Sequence, residues 1–166
     1  MPELSDRLWH ADLAQPVTLL DVFCGEDRAG DMRDATIMAG GSALGLDSAL
    51  GGASHDISDT VVFDAVAAFV TAKLARHLWL GIVCSSLSQL WLKKGRPRLR
   101  SRKQPDGISP MPHQWRQYIT RANICIERGC ELALLQQRSG GTYYIENPTD
   151  VGFMRSPFFM NNTCLI

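Results

Sequence analysis

The sequence lacks any apolar run close to the ~20 residues that a membrane-spanning helix needs, so no membrane partner is expected. The first fifteen residues, MPELSDRLWHADLAQ, are polar and acidic, which is not the pattern of a secretory signal. The composition is 45% hydrophobic and 20% charged, as is typical of a globular protein. A chain of 166 residues is long enough to bury one core and short for two.

Cysteines are few and scattered, which excludes a disulfide framework of the kind found in small secreted domains. No two of them have the C-x-x-C spacing of a structural zinc site, so no metal is expected. Reduced thiols in the cytoplasm or nucleus are the expectation. The five positions are Cys24, Cys84, Cys125, Cys130 and Cys164.

The formal net charge is zero, but the charges are unevenly distributed. The stretch KKGRPRLRSRK, residues 93–103, contains seven basic residues and no acidic one, while the rest of the chain has ten basic and seventeen acidic residues. Such a block indicates either a solvated loop or a surface that binds a polyanion. Its cations are Lys93, Lys94, Arg96, Arg98, Arg100, Arg102 and Lys103.

Short apolar runs alternate along the chain with amphipathic patterns, which predicts an α/β fold with a mainly parallel sheet and helices on both faces. Residues 1–15 are expected to be a lead-in, and residues 16–166 a single domain with the basic loop, residues 91–112, inserted after the fourth strand. We expect about five strands in the order 3-2-1-4-5. The predicted strands are 16–23, 42–47, a very short one near 55–57, 78–84 and 142–146; the predicted helices are about 29–38, 60–77 and 113–138.

Polar clusters follow four of these strands, at the edge where parallel α/β sheets bind ligands. The first is Asp21–Gly25, in which an acid and a glycine suit a nucleotide-like ligand, and the second is Asp47, which could accept hydrogen bonds from ribose hydroxyls. The third, Cys84–Ser88, could carry a thiolate, and the fourth, Glu146–Asn147, a proton donor. Taken singly, each also has an ordinary reading: a turn, a helix cap or a small buried side chain.

In this order the clusters resemble the motifs of the cytosine-5 DNA methyltransferases. DVFCGED is similar to the family's D-x-F-x-G-x-G turn, VCSSLS to its P-C-Q-x-F-S loop, and the Glu–Asn dipeptide to its E-N motif. The resemblance covers roughly residues 17–150 and implies a Rossmann-like fold that binds S-adenosylmethionine. The positions that it assigns to the cofactor are Asp21, Phe23, Cys24, Gly25, Asp47, Asp56 and Ile57.

The resemblance also implies a reaction on DNA. In this family a thiolate adds to carbon 6 of a cytosine that has left the stack, and a carboxylic acid engages ring nitrogen 3. Carbon 5 then takes the methyl group, and elimination frees the cysteine. The matching catalytic positions are Cys84, Ser88, Glu146 and Asn147. The basic loop stands where the family's mobile loop closes over DNA, so its seven cations are expected to contact phosphates.

The sequence also departs from the family's pattern. Asp27 replaces the second glycine of the cofactor turn, and Ile82 and Val83 replace the prolines before Cys84. Only about twenty residues follow Glu146, so we expect a fold that is incomplete at its C-terminal side, with a second chain as the candidate to complete the sheet edge and target recognition. The alternatives are a non-catalytic nucleic-acid-binding module, and a different Rossmann-like enzyme in which Cys84 is merely buried.

Overall fold

A computed structural model describes residues 16–26, 28–82, 92, 94–101 and 103–146. Five of the positions assigned from the sequence lie outside these described residues: Cys84, Ser88, Lys93, Arg102 and Asn147.

Strands and helices alternate through the described residues. The strands are β1 (Val17–Val22), β2 (Ala43–Leu46), β3 (Ala75–Leu80) and β4 (Thr142–Ile145). The helices are α1 (Met32–Met38), α2 (Ser48–Gly51), α3 (Thr60–Thr71) and α4 (His113–Arg138), with a 3₁₀ turn at Gly52–His55. No helix among these residues is both long enough and apolar enough to cross a bilayer.

The described strands form one fully parallel sheet in the order β2-β1-β3-β4. Leu20 lies opposite Leu44 on one side and Leu78 on the other. The predicted strand near residues 55–57 is wrong, because this described segment forms the 3₁₀ turn and the bend after it. The described residues therefore contain four strands, where five were predicted for the chain. Without that strand, the predicted order 3-2-1-4-5 reduces to the observed one.

The 3₁₀ turn replaces a strand because the segment is short and capped at both ends. Asp47 accepts a hydrogen bond from the Ala49 amide at the start of α2, and Asp59 accepts one from the Val61 amide at the start of α3. Between these caps Ile57 alone supplies a fully buried hydrophobic side chain, 3% exposed. One apolar residue can anchor a turn, but it does not make the alternating pattern of a strand.

The main core lies between one face of the sheet and helices α3 and α4. Helix α3 buries Val62, Phe63, Val66, Phe69 and Val70, the stripe expected of an amphipathic helix. Most strand residues of the same core alternate along each strand, namely Leu20, Val22, Leu44, Leu46, Leu78 and Leu80. Val17 and Ala75, the first residues of β1 and β3, belong to this core as well.

Helix α1 covers the opposite face. Its Arg33 lies across Gly45 of β2, whose side of the strand is opposite to that of Leu44 and Leu46. A Cβ atom at Gly45 would lie 2.5 Å from an Arg33 guanidinium nitrogen, so the side chain passes directly over the strand. The prediction of helices on both faces is confirmed for the described residues.

Two predicted boundaries are wrong by a few residues. Helix α3 was predicted to run to residue 77 and the next strand from 78, whereas α3 ends at Thr71 and β3 begins at Ala75. The helix ends because Lys73 adopts a left-handed φ of 61°, and the Leu74 amide donates to the Phe69 carbonyl at 3.2 Å. This is a Schellman motif with lysine where glycine is usual.

Candidate functional site

A cavity of about 250 Å³ opens at the carboxyl ends of β1 and β2, the edge at which the sequence predicted ligand binding. Its walls come from the turn after β1, the segment from the end of β2 to Ile57, and the first half of α4. The lining residues are Phe23, Asp47, Ser48, His55, Asp56, Ile57, Tyr118, Arg121, Ala122 and Cys125.

The turn after β1 brings the backbone back toward β2. Phe23 has a φ of 65° and Gly25 a φ of 73°, so both lie in the left-handed region. For a bulky residue such as Phe23 this conformation costs about 1–2 kcal/mol, whereas glycine adopts it freely. The cost at Phe23 is offset because its amide donates to the Leu46 carbonyl at 2.7 Å and its ring packs against the core.

Asp47 joins the first two strand ends. Its Oδ2 accepts a hydrogen bond from the Gly25 amide at 3.0 Å, and its Oδ1 accepts one from the Ala49 amide at 2.7 Å. Both carboxylate oxygens are held in place by backbone donors, and each keeps a further lone pair. A carboxylate fixed in this way, at the wall of the cavity, can accept hydrogen bonds from a pair of ligand hydroxyls.

Asp56 is held from two sides. Its Oδ1 accepts hydrogen bonds from the Ser58 amide at 2.9 Å and the Ser58 hydroxyl at 2.7 Å, and its Oδ2 accepts one from Arg121 Nη2 at 2.8 Å. Burial alone would raise the pKa of Asp56, but these hydrogen bonds and the Arg121 charge together lower it. The residue therefore stays anionic and ties the cavity wall to α4.

Three of the residues assigned to the cofactor, Asp21, Cys24 and Gly25, are not among the residues that line the cavity. Asp21 is 5% exposed on the α1 side of the sheet, with Arg33 Nε 4.0 Å from its Oδ2. Burial raises the pKa of Asp21 to about 6; the Arg33 charge opposes this shift, and the Asp31 and Glu146 charges add to it. Burial likewise raises the pKa of the Cys24 thiol to about 12. Neither side chain lines the cavity.

Helix α4 contributes four lining residues that the sequence prediction missed. Tyr118, Arg121, Ala122 and Cys125 have the spacing i, i+3, i+4 and i+7, which places them on one face of the helix. The spacing can be read from the sequence, but the four residues differ in polarity and therefore do not form a recognisable apolar stripe. A second arginine, Arg128, fastens the same helix by donating to the Ile57 carbonyl at 2.8 Å.

The proposed acid follows β4. The Glu146 amide donates to the Leu80 carbonyl at 3.0 Å, so the ladder between β3 and β4 continues to this residue, whose side chain is exposed. The described chain beyond β3 reaches Ile82, two residues before Cys84. Because β3 and β4 are neighbours and parallel, their carboxyl ends lie side by side.

The described part of the basic loop begins at Lys94 and does not include residue 102. Lys94, Arg96, Arg98 and Lys103 are exposed, as the prediction of a polyanion-binding surface requires. Arg100 is different: it is half-buried, and its Nη1 donates to the Pro105 carbonyl at 2.6 Å. Within the described part of the loop, this cation is used for the loop's own structure.

No group of three or more His, Cys, Asp or Glu side chains able to hold a metal occurs in the described part of the chain. The sequence matches no protein-family model, no curated protein and no solved structure.

Proposed function

We propose that the chain is an S-adenosylmethionine-binding domain of the cytosine-5 DNA methyltransferase type. The observation that carries the proposal is the cavity at the ends of β1 and β2. Four residues assigned to the cofactor from the sequence line this one cavity: Phe23 from the turn after β1, and Asp47, Asp56 and Ile57 from the segment after β2. A Rossmann-like parallel sheet binds its ligands at this edge.

The lining suits the adenosine part of the cofactor. Asp47 would accept hydrogen bonds from the ribose hydroxyls, and Phe23, Ile57 and Ala122 offer apolar surface to the purine. Asp56, which the resemblance assigns to the cofactor together with Ile57, would lie near the adenine at the same wall. A volume of about 250 Å³ lies below the roughly 300 Å³ at which pockets for whole drug-sized ligands begin, which favours a nucleoside over the complete molecule inside the cavity.

Two groups would carry the chemistry on cytosine. The Cys84 thiolate would add to carbon 6 while the Glu146 acid gives a proton to ring nitrogen 3. Bound S-adenosylmethionine supplies an electrophilic methyl group for carbon 5. S-adenosylhomocysteine would be the leaving group of that transfer. A water molecule would then take the carbon 5 proton as the bond between carbon 6 and sulfur breaks, which would return the Cys84 thiolate, and ring nitrogen 3 would give its proton back to the Glu146 carboxylate. The neighbouring ends of β3 and β4 favour a meeting of these two groups.

A non-catalytic nucleic-acid-binding module is the second candidate. The observation that favours it is the exposure of Lys94, Arg96, Arg98 and Lys103 on one loop. Such a loop would bind the phosphate backbone without reading sequence. In either case a second chain could pair with the outer edge of β4, which among the described strands pairs with β3 alone.

Calorimetric titration with S-adenosylmethionine tests the first proposal. We expect a dissociation constant in the micromolar range for the native chain, and at least about tenfold weaker binding for Asp47→Asn, since a tenfold loss corresponds to roughly one hydrogen bond. Asp59→Asn is the matched control. Asp59 caps α3 as Asp47 caps α2, but it does not line the cavity. The Asp59→Asn chain should therefore bind S-adenosylmethionine as tightly as the native chain.

The outcomes separate the candidates. Failure of a folded native chain to bind S-adenosylmethionine would exclude the methyltransferase proposal and leave the nucleic-acid-binding module. Equal losses in Asp47→Asn and Asp59→Asn would indicate a general effect on the fold and contradict a role for Asp47 at the site.

A further inference from the structure

The ring of His55 forms a part of the cavity wall that the family resemblance does not assign to the cofactor. His55 is the last residue of the 3₁₀ turn, is 7% exposed, and lines the cavity together with Asp56 and Ile57, which follow it directly. Two further aromatic rings, those of Phe23 and Tyr118, lie among the lining residues. A buried aromatic ring at the wall of a nucleoside cavity has a direct use, because a flat ring stacks on a base.

One face of the His55 ring rests on Gly51. A Cβ atom at Gly51 would lie within 2.5 Å of three atoms of the ring, Cγ, Nδ1 and Cδ2, at nearly equal distances from them. Such distances are met only by a point above the plane of the imidazole, and not by a point at its edge. The backbone at Gly51 therefore covers one ring face, and any side chain at this position would take the space of the ring.

The local backbone explains why glycine stands at position 51. Gly52 has a φ of 63°, in the left-handed region, which turns the chain between α2 and the 3₁₀ turn. The Ser54 hydroxyl then donates to the Gly51 carbonyl at 2.9 Å and closes the turn. Gly51 itself has a φ of −122°, which residues with a side chain also adopt. The close approach of the His55 ring, and not the backbone conformation, therefore requires a glycine there.

Helix α2 connects this ring to the carboxylate proposed to hold the ribose. Asp47 caps the first turn of α2 and Gly51 is its last residue, so about one helical turn, roughly 5.4 Å, separates the two. A nucleoside carries its base directly on its sugar. A ribose hydrogen-bonded to Asp47 would therefore place its base beside the wall that contains His55, Asp56 and Ile57.

We propose that His55 stacks on the base of an adenine nucleoside in this cavity, and that Gly51 is the positioning residue that holds the ring in place for it. The base packs on the ring face opposite to Gly51. Stacking of this kind contributes affinity through the flat surface of the ring, so it depends on an aromatic side chain at position 55 more than on a polar one. This inference rests on the proposed function of the cavity.

Calorimetric titration with S-adenosylmethionine tests the role of the ring. His55→Ala removes it and should weaken binding by at least about tenfold, as expected for the loss of one stacked base. His55→Phe keeps a flat ring and should bind within about threefold of the native chain. His55→Leu is apolar but not flat, and it should lose as much as His55→Ala. Equal losses in His55→Phe and His55→Leu would overturn the stacking role.

A double-mutant cycle tests the positioning role of Gly51. Gly51→Ala should displace the ring and weaken S-adenosylmethionine binding by at least about tenfold in the native chain. In the His55→Ala chain the same change should have no further effect, because the space of the ring is then vacant. Equal losses in both backgrounds would mean that Gly51→Ala acts on α2 itself, and they would overturn the positioning role.

Nuclear magnetic resonance supplies a readout that a purely structural role would not move. With bound S-adenosylmethionine, we expect nuclear Overhauser contacts between the imidazole protons of His55 and the ring protons of the adenine. Loss of these signals in His55→Phe assigns them to His55. If the saturated native chain showed no such contacts, the stacking proposal would be overturned.

Failure of this inference is distinguishable from failure of the proposed function. If the native chain and a folded His55→Ala chain bound S-adenosylmethionine equally well, the role of His55 would be overturned and the cofactor site would stand. If His55→Ala did not fold, the comparison of His55→Phe with His55→Leu would decide. A folded native chain that does not bind S-adenosylmethionine would overturn the proposed function, and the role of His55 with it.

Discussion

At the scale of single residues, the pKa of the buried carboxyl group of Asp21 reports on the environment beside the turn after β1. Its pKa is raised to about 6 from 3.8, chiefly because burial disfavours the charged form. A carboxyl group whose pKa is higher in the folded than in the unfolded protein favours the folded state when it is protonated. That stability is present below about pH 4 and is lost as the pH rises through about 6.

Asp21→Asn should therefore remove a pH dependence. We expect the free energy of unfolding of the native chain, relative to the variant, to fall by on the order of 3 kcal/mol between pH 4 and pH 7.5. Urea unfolding of both chains across this range gives the difference. A difference that is flat with pH, or that rises, would mean that Asp21 is ionised in the folded protein at every pH tested.

The cysteines make a second prediction at this scale. Burial raises the pKa of Cys24 to about 12 and of Cys125 to about 11, so both thiols should react with iodoacetamide at pH 8 at least about a hundredfold more slowly than a free cysteine. Peptide mapping after timed labelling checks this, with the unfolded chain as control.

Cys84 is expected to be the reactive thiol in that experiment, because the proposed mechanism requires its thiolate. A Cys84 as inert as Cys24 and Cys125 would support the alternative of a Rossmann-like protein in which this cysteine is merely buried.

At the scale of elements, helix α4 passes close to the strand ends at Gly129. A Cβ atom at this position would lie 3.4 Å from the Phe23 ring and 3.5 Å from Ile82, which is ordinary contact. The packing therefore leaves room for a Cβ atom, and the glycine only lowers the helix propensity at this position.

Gly129→Ala should stabilise the chain by up to about 1 kcal/mol, the difference in helix propensity. Gly129→Leu should destabilise it by about 1–3 kcal/mol, because the larger side chain would wedge against Phe23 and Ile82. Thermal and urea unfolding of the two variants provide the measurement. If Gly129→Ala destabilised the chain as much as Gly129→Leu, the space around this position would be smaller than the distances to Phe23 and Ile82 indicate.

The loop after β3 carries a prediction about salt. Arg98 is exposed, whereas Arg100 is half-buried and donates a hydrogen bond to the Pro105 carbonyl. If the loop binds DNA phosphates, Arg98→Ala should reduce the slope of log affinity against log salt by about 1. Arg100→Gln removes the charge but keeps a polar side chain, and it should leave that slope unchanged. Equal changes of the slope in the two variants would indicate that Arg100 contacts phosphates as well.

The sequence was most informative where a pattern is local. Alternating apolar runs predicted all four observed strands, and the long stripe of α4 was placed at 113–138 as observed. The end of α3 was missed because Lys73 takes a left-handed conformation that composition associates with glycine. The strand predicted near 55–57 is wrong because the caps at Asp47 and Asp59 leave no room for one.

At the scale of the whole molecule, the cavity could be predicted in part. Phe23 and Asp47 could be predicted because residues at strand ends converge in a parallel sheet, whereas Asp56 and Ile57, which follow the 3₁₀ turn, came from the family resemblance. It could not supply the wall from α4, because that contact depends on how the helix docks. The tethers from Arg121 to Asp56 and from Arg128 to the Ile57 carbonyl set this docking, and they join residues more than sixty positions apart.

The central claim is that three separate segments form one cofactor cavity, and hydrogen exchange with and without S-adenosylmethionine tests it most directly. The account predicts that the ligand slows amide exchange in three stretches together: the turn at 23–25, the segment 47–57 and the helix around 118–125. It also predicts that the amino-terminal end of β3 is unaffected. Protection confined to one stretch, or centred elsewhere in the chain, would contradict the claim.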